Sequence, residues 1–146
     1  MDSNVRAGSS PAIGTNFLLM DIKKYFQFTG TISGLNYFLR NFISYITAFM
    51  GGYMLGYGVG INQIGLITLG LLVVTPAILF SLTSIYKRLN ALYSDSATTY
   101  LIGIILIQVL SQFLEEGGFK SLISLAMVIV NLVLIFSNSK IENHEG

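Results

Sequence analysis

The stretch Arg40–Lys87, RNFISYITAFMGGYMLGYGVGINQIGLITLGLLVVTPAILFSLTSIYK, decides the fold: the 46 residues between its two terminal cations carry no charged side chain. A soluble surface needs charge, and a chain of 146 residues is mostly surface. The run is too long for one helix and fits two, since a span needs roughly 20 apolar residues to cross a hydrocarbon core of about 30 Å. Two further apolar blocks follow, Ala97 to Leu114 and Ser121 to Phe136, each bounded by charge. The expected fold is therefore all-α: an integral membrane four-helix bundle over residues 31–137, with spans at about 41–60, 64–86, 97–114 and 121–136. An amphipathic interfacial helix over residues 16–29 precedes it, residues 1–15 read as a disordered tail, and residues 138–146 as a polar C-terminal tail.

Composition narrows the function classes. The chain is 53% hydrophobic and 10% charged, with a mean hydropathy of +0.69, whereas soluble domains are about a quarter charged. A net charge of +1 gives no basic field for nucleic acid. Cysteine is absent, which excludes disulfides, thiolate metal sites and cysteine nucleophiles. The single histidine, His144, lies in the polar tail and reads as solvated, because a metal site needs three or four convergent ligands. No P-loop, G-x-S-x-G or H-E-x-x-H motif occurs, and none of the seven carboxylates falls within a span. The adjacent Glu115 and Glu116 point about 100° apart on a helix, so they read as a solvated outer turn rather than an acid/base pair. No catalytic residue, metal or cofactor is expected, and the chain reads as non-enzymatic. Ion-coupled transport is disfavoured as well, since it usually places a titratable group inside a span.

Within the bundle, several residues carry specific expectations. The segment NFLLMDIKKYFQF (Asn16 to Phe28) places Leu18, Ile22, Tyr25 and Phe26 on one side and Asp21, Lys24 and Gln27 largely opposite, which suits a helix lying among headgroups. Residues 1–16 lack the long apolar core of a cleavable signal. Gly30 is a plausible left-handed cap, after which Thr31 or Ser33 can cap the first bundle helix. Gly52, Gly56 and Gly60 form a small-xxx-small stripe, either a dimerisation face or a place of close packing within one bundle. Asn62 and Gln63 form a short turn, Pro76 is expected to kink the second span near Leu72 to Thr75, and Asp95 or Ser96 can cap the third. Gln108 and Gln112 on the third span and Asn131 on the fourth are candidate interhelical polar contacts, with Ser124 a nearer partner for either glutamine.

Four spans put Arg6, Lys23, Lys24, Arg40, Lys87, Arg88 and Lys140 on one side and Lys120 on the other, so both termini are expected in the cytoplasm. Tyr37, Tyr45, Tyr86, Tyr93 and Tyr100 cluster near that boundary as an aromatic belt.

Two segments, YFQFTGTISGLNYFLRNF (Tyr25 to Phe42) and YKRLNALYSDSATTYLIG (Tyr86 to Gly103), together resemble one family. It is the bacterial inner-membrane group named only as domain of unknown function 805. The first segment is similar to that family's aromatic lead-in, glycine turn and aromatic pair entering the first span. The second is similar to the Arg-Arg-Leu-His-Asp motif that leaves the second span. Phe28, Gly30, Ser33, Tyr37, Phe38, Lys87, Arg88 and Leu89 keep the pattern, while Thr31, Gly34, Asn90 and Ala91 replace its charged and histidine positions. The resemblance runs from Tyr25 to Phe136 and implies a four-span layout and an inner-membrane location. It implies no chemistry.

The expected role is structural, adaptor-like or regulatory, acting through a basic cytoplasmic face of Lys23, Lys24, Arg40, Lys87 and Arg88 that suits anionic lipid headgroups or a membrane partner. The alternative is an oligomeric channel, holin-like pore or small-solute transporter assembled along the glycine stripe.

Overall fold

The computed structural model describes residues 25–139, and among them the chain is all-helical, with four helices and no strand. These are α1 (Gly34–Gly60), α2 (Ile64–Leu92), α3 (Ala97–Gln112) and α4 (Gly118–Phe136). The expectations for residues 1–15, for Lys23 and Lys24 within the amphipathic segment, and for Lys140 and His144 lie outside the described residues.

The local signals at the start of α1 act as anticipated. Gly30 adopts φ 82°, a conformation a Cβ would oppose, and Ser33 caps α1 by accepting from the Asn36 N–H at 3.3 Å. At the other end Asn62 takes φ 54° in the tight turn to α2. Between α2 and α3, Ser96 occupies the cap position without a side-chain cap hydrogen bond. α2 runs unbroken through Pro76, which has no N–H to offer the Leu72 carbonyl. Its helix also continues past residue 86, the expected end of the second span, to Leu92.

α1 and α2 form an antiparallel hairpin packed along its length, which α3 and α4 flank while touching one another little. The hairpin seam is rich in small and polar residues, with Leu55, Ile67 and Val74 packed against its glycines. On α1 it runs through Tyr37, Asn41, Ser44, Ala48, Gly51, Leu55 and Gly58, in alternating steps of four and three. α2 answers with Ile67, Gly70, Val74, Ala77, Ser81, Ser84 and Arg88, in the same alternation. That is the 3.5-residue repeat of helices that wrap around each other. Contact is closest at the glycines. A Cβ on Gly70 would meet the Gly51 carbonyl oxygen at 2.8 Å, one on Gly51 would meet Val74 Cγ2 at 2.6 Å, and one on Gly58 the Ile67 nitrogen at 2.9 Å.

α2 (29 residues) and α4 (19 residues) are long and apolar enough to cross a membrane. α3 is apolar but has 16 residues, and α1 is long but diluted by tyrosine and glycine. The buried hydrophobic core is small and lies at the end where α1 and α3 begin and α2 and α4 finish: Ile32, Tyr37, Leu89, Ala97, Leu101 and Leu134. Outside it, large apolar side chains such as Phe49, Ile64, Leu72 and Phe136 stand exposed.

Candidate functional site

The last turns of α2 form the polar centre of the molecule. Thr83, Ser84, Lys87 and Arg88 are all buried, with at most 2% of any of them exposed. A buried guanidinium requires acceptors, and Arg88 has three. Its Nε donates to the Leu134 carbonyl at 2.6 Å, Nη1 to the Ile32 carbonyl at 3.2 Å, and Nη2 to the Ser137 carbonyl. Leu134 and Ser137 belong to the C-terminal end of α4, where the last carbonyls lack intrahelical donors and carry the negative end of the helix dipole. Arg88 thus caps α4 from a neighbouring helix and ties that end to the strap before α1. Gly34 permits the approach: a Cβ there would run into the Ile135 carbonyl oxygen and come within 3.1 Å of Arg88 Nη2.

The same end of α2 holds the rest of the strap. Asn90 Nδ2 donates to the Gly30 carbonyl at 3.2 Å, and the Thr83 hydroxyl bridges the carbonyls of Tyr25 and Phe80 at 3.1 and 3.0 Å. The Arg40 guanidinium carbon lies 4.9 Å from the Tyr25 ring centroid and 5.9 Å from that of Phe80.

Deeper in the bundle, the four helices surround a cavity of about 180 Å³. Its polar groups are neutral. The Tyr37 hydroxyl donates to Asn131 Oδ1 at 2.8 Å, Asn131 Nδ2 donates to the Met127 carbonyl at 2.9 Å, and the Ser81 hydroxyl donates to Asn41 Oδ1 at 2.9 Å. Ser44, 3% exposed, also lines the cavity, and its hydroxyl has no hydrogen-bond partner among the described residues. Gln108 contributes a further amide to the lining.

Several expectations are corrected by this arrangement. Lys87 and Arg88 do not form an exposed basic face, because the helix continues through them and both side chains are buried, that of Arg88 against the strap and the end of α4. Arg40 is half-buried against aromatic rings. Gly52, Gly56 and Gly60 do not pack inside the bundle: a Cβ on any of them would meet nothing within 4 Å. The close approaches belong to Gly51, Gly58 and Gly70, one helical face away. Asn131 bonds across to Tyr37 on α1, and no hydrogen bond joins Gln108 or Gln112 to α4 among the described residues. Ser124 bonds to its own helix at the Lys120 carbonyl, and Gln112 is exposed. Tyr37, 1% exposed, belongs to the core rather than to an aromatic belt. Glu115 and Glu116 are exposed as expected, with Glu116 placed 3.8 Å from Lys120.

Sequence reasoning missed Ser44, Ser81 and Asn41 because each looks like an ordinary polar residue in a span. The four-and-three spacing that brings them together was readable from Tyr37 onward, but it contains few large apolar residues to draw attention. Comparison with protein-family models, with curated proteins and with solved structures finds no match to this chain.

Proposed function

We propose that the chain is a small multi-pass integral membrane protein of bacterial inner-membrane type, with all four helices in the bilayer, both termini cytoplasmic and a non-enzymatic structural or adaptor role. The observation that carries this reading is the exposure of its apolar helices. Within the most apolar windows of α2 and α4, just 11% and 6% of residues are buried, whereas the core helix of a soluble protein is mostly buried. Left in water, such surface is unfavourable by about 25 cal/mol per Å², and in lipid that term vanishes.

At about 1.5 Å per residue α2 is longer than the hydrocarbon core is thick, which allows its polar end, Thr83 to Leu92, to sit among headgroups. The seven-to-one distribution of cations supports the orientation. Burial of Lys87 and Arg88 in the folded bundle does not weaken that argument, because orientation is fixed as the chain inserts, before the bundle closes. The cations left for anionic lipid or a partner are then chiefly Lys23 and Lys24, each contributing about 1 kcal/mol near such a surface. Kinship with the domain of unknown function 805 group is part of this proposal and rests on the order of motifs alone.

The natural absence of cysteine makes the topology directly testable. Single cysteines at Ser94 (Ser94→Cys) and Gly117 (Gly117→Cys) are probed with a membrane-impermeant maleimide. The expected result is labelling of position 117 from outside and of position 94 only after permeabilisation, both in the carbonate-resistant membrane fraction. Release into the soluble fraction, or labelling of both sites from one side, refutes the reading.

A second reading, an oligomeric channel, holin-like pore or small-solute transporter, is favoured by one observation. The Gly52, Gly56 and Gly60 stripe faces outward, open to a neighbouring helix.

A further inference from the structure

We propose that the cavity between the four helices is a binding site for a small neutral molecule carrying one hydroxyl on a compact apolar body, of the size and class of a phenol or a cyclic alcohol. The inference stands apart from the membrane placement, since the cavity is a property of the helix packing itself.

Three features select that ligand. The first is size: about 180 Å³ is close to the roughly 150 Å³ engineered cavity that accommodates benzene, so a six-membered ring with a substituent fits. The space exists because the hairpin seam at this level consists of Ser44, Ala48, Ala77 and Ser81, and the diverging α3 and α4 do not reach across to fill it.

The second is charge. Aspartate, glutamate, lysine and arginine are all absent from the lining. An ion placed there would lose its hydration with no counter-charge, which is unfavourable by several kcal/mol. The occupant is neutral.

The third is the pattern of donors and acceptors. The hydroxyl protons of Tyr37 and Ser81 are already engaged, with Asn131 and Asn41, so each oxygen is left to accept. Ser44 is the reverse case. Ser44 is 3% exposed and lines the cavity, and its hydroxyl has no partner among the described residues; the oxygen presents almost no surface to the cavity as packed, so its proton reaches a ligand once the side chain turns to another staggered rotamer. Leaving such a group unsatisfied is unfavourable by about 1–3 kcal/mol. A ligand hydroxyl matches both needs, accepting from Ser44 and donating to Tyr37 or Ser81. The remaining walls, including Leu82, Ile104 and Val130, are aliphatic and suit a hydrocarbon body. A polyol would bury hydroxyls without partners there, and a plain hydrocarbon would leave Ser44 unsatisfied.

The experiment uses the full chain in lipid nanodiscs and para-fluorophenol as the probe, read by fluorine NMR, with fluorobenzene as the apolar comparator. The expected result is a saturable bound resonance for para-fluorophenol that is weakened about five-fold in Ser44→Ala, the loss of one hydrogen bond. It should be abolished in Ala48→Leu, which fills the cavity from the next turn of α1. A resonance that persists unchanged in Ala48→Leu reports partition into lipid and overturns the site. Fluorobenzene binding as tightly as para-fluorophenol, or equal binding to Ser44→Ala, reduces the site to an apolar hole and overturns the hydroxyl requirement. No saturable signal from either probe leaves water as the occupant and also overturns the proposal.

Discussion

Replacing Arg88 by methionine keeps the length of the side chain and removes three donors, leaving the carbonyls of Ile32, Leu134 and Ser137 without them. Each buried acceptor left unsatisfied is unfavourable by about 1–3 kcal/mol, and hydrogen bonds to a charged group lie at the upper end of that range. Arg88→Met is therefore expected to destabilise the bundle by about 3–5 kcal/mol in a denaturant titration in micelles. Arg88→Lys is expected to fall between it and the parent, because an ammonium is a single point of donation that cannot span three carbonyls on two segments. Equal stability of all three proteins would remove the clamp from the account of the fold. The identity of Arg88 as a cation beside the second span is plain in the sequence. Its burial is not, since the acceptors come from Ile32, Leu134 and Ser137, which sequence places 46 to 56 positions away and which carry no side-chain signal as acceptors.

The helices themselves were largely legible, and the way they pair was not. The uncharged run from Arg40 to Lys87, broken at Asn62 and Gln63, is the α1–α2 hairpin, and Gly30 and Ser33 mark its start through backbone conformation and capping. Of the two readings of the glycine face, close packing within the bundle does not hold. An i, i+4 stripe at Gly52, Gly56 and Gly60 looks like a packing surface, but wrapped helices meet along a 3.5-residue repeat, which selects Gly51 and Gly58 instead. This distinction has a measurable consequence. Gly70→Ala must push a methyl against the Gly51 carbonyl and Leu55, all within 2.8 Å of its Cβ, and is expected to destabilise the hairpin by about 1–3 kcal/mol. Gly52→Ala meets nothing within 4 Å and gains helix propensity worth up to about 1 kcal/mol. Thermal melts of the two variants should move in opposite directions relative to the parent, and a shared direction would count against the seam.

For the whole molecule, polar contacts concentrate at one end and apolar surface covers the rest, so the end with Arg88 organises the bundle while the far ends of α3 and α4 are held loosely. The outward Gly52, Gly56 and Gly60 stripe decides between the two functional readings. The structural reading expects a monomer by mass in nanodiscs for the parent and for Gly56→Leu alike, since that position touches nothing within the chain. An oligomer that Gly56→Leu breaks would instead favour the pore and warrant flux measurements. The cavity adds a property that neither reading requires, a half-open pocket between the helices with no charged side chain in its lining. The Arg88 clamp also imposes an order on biogenesis. Its acceptors at Leu134 and Ser137 are synthesised well after Arg88 itself, so a growing chain carries this guanidinium past α3 with only one of its three acceptors, the Ile32 carbonyl, already made. The clamp therefore closes only after α4 is in place, so the end of α2 and the strap before α1 stay unlatched until the chain has folded as far as Ser137.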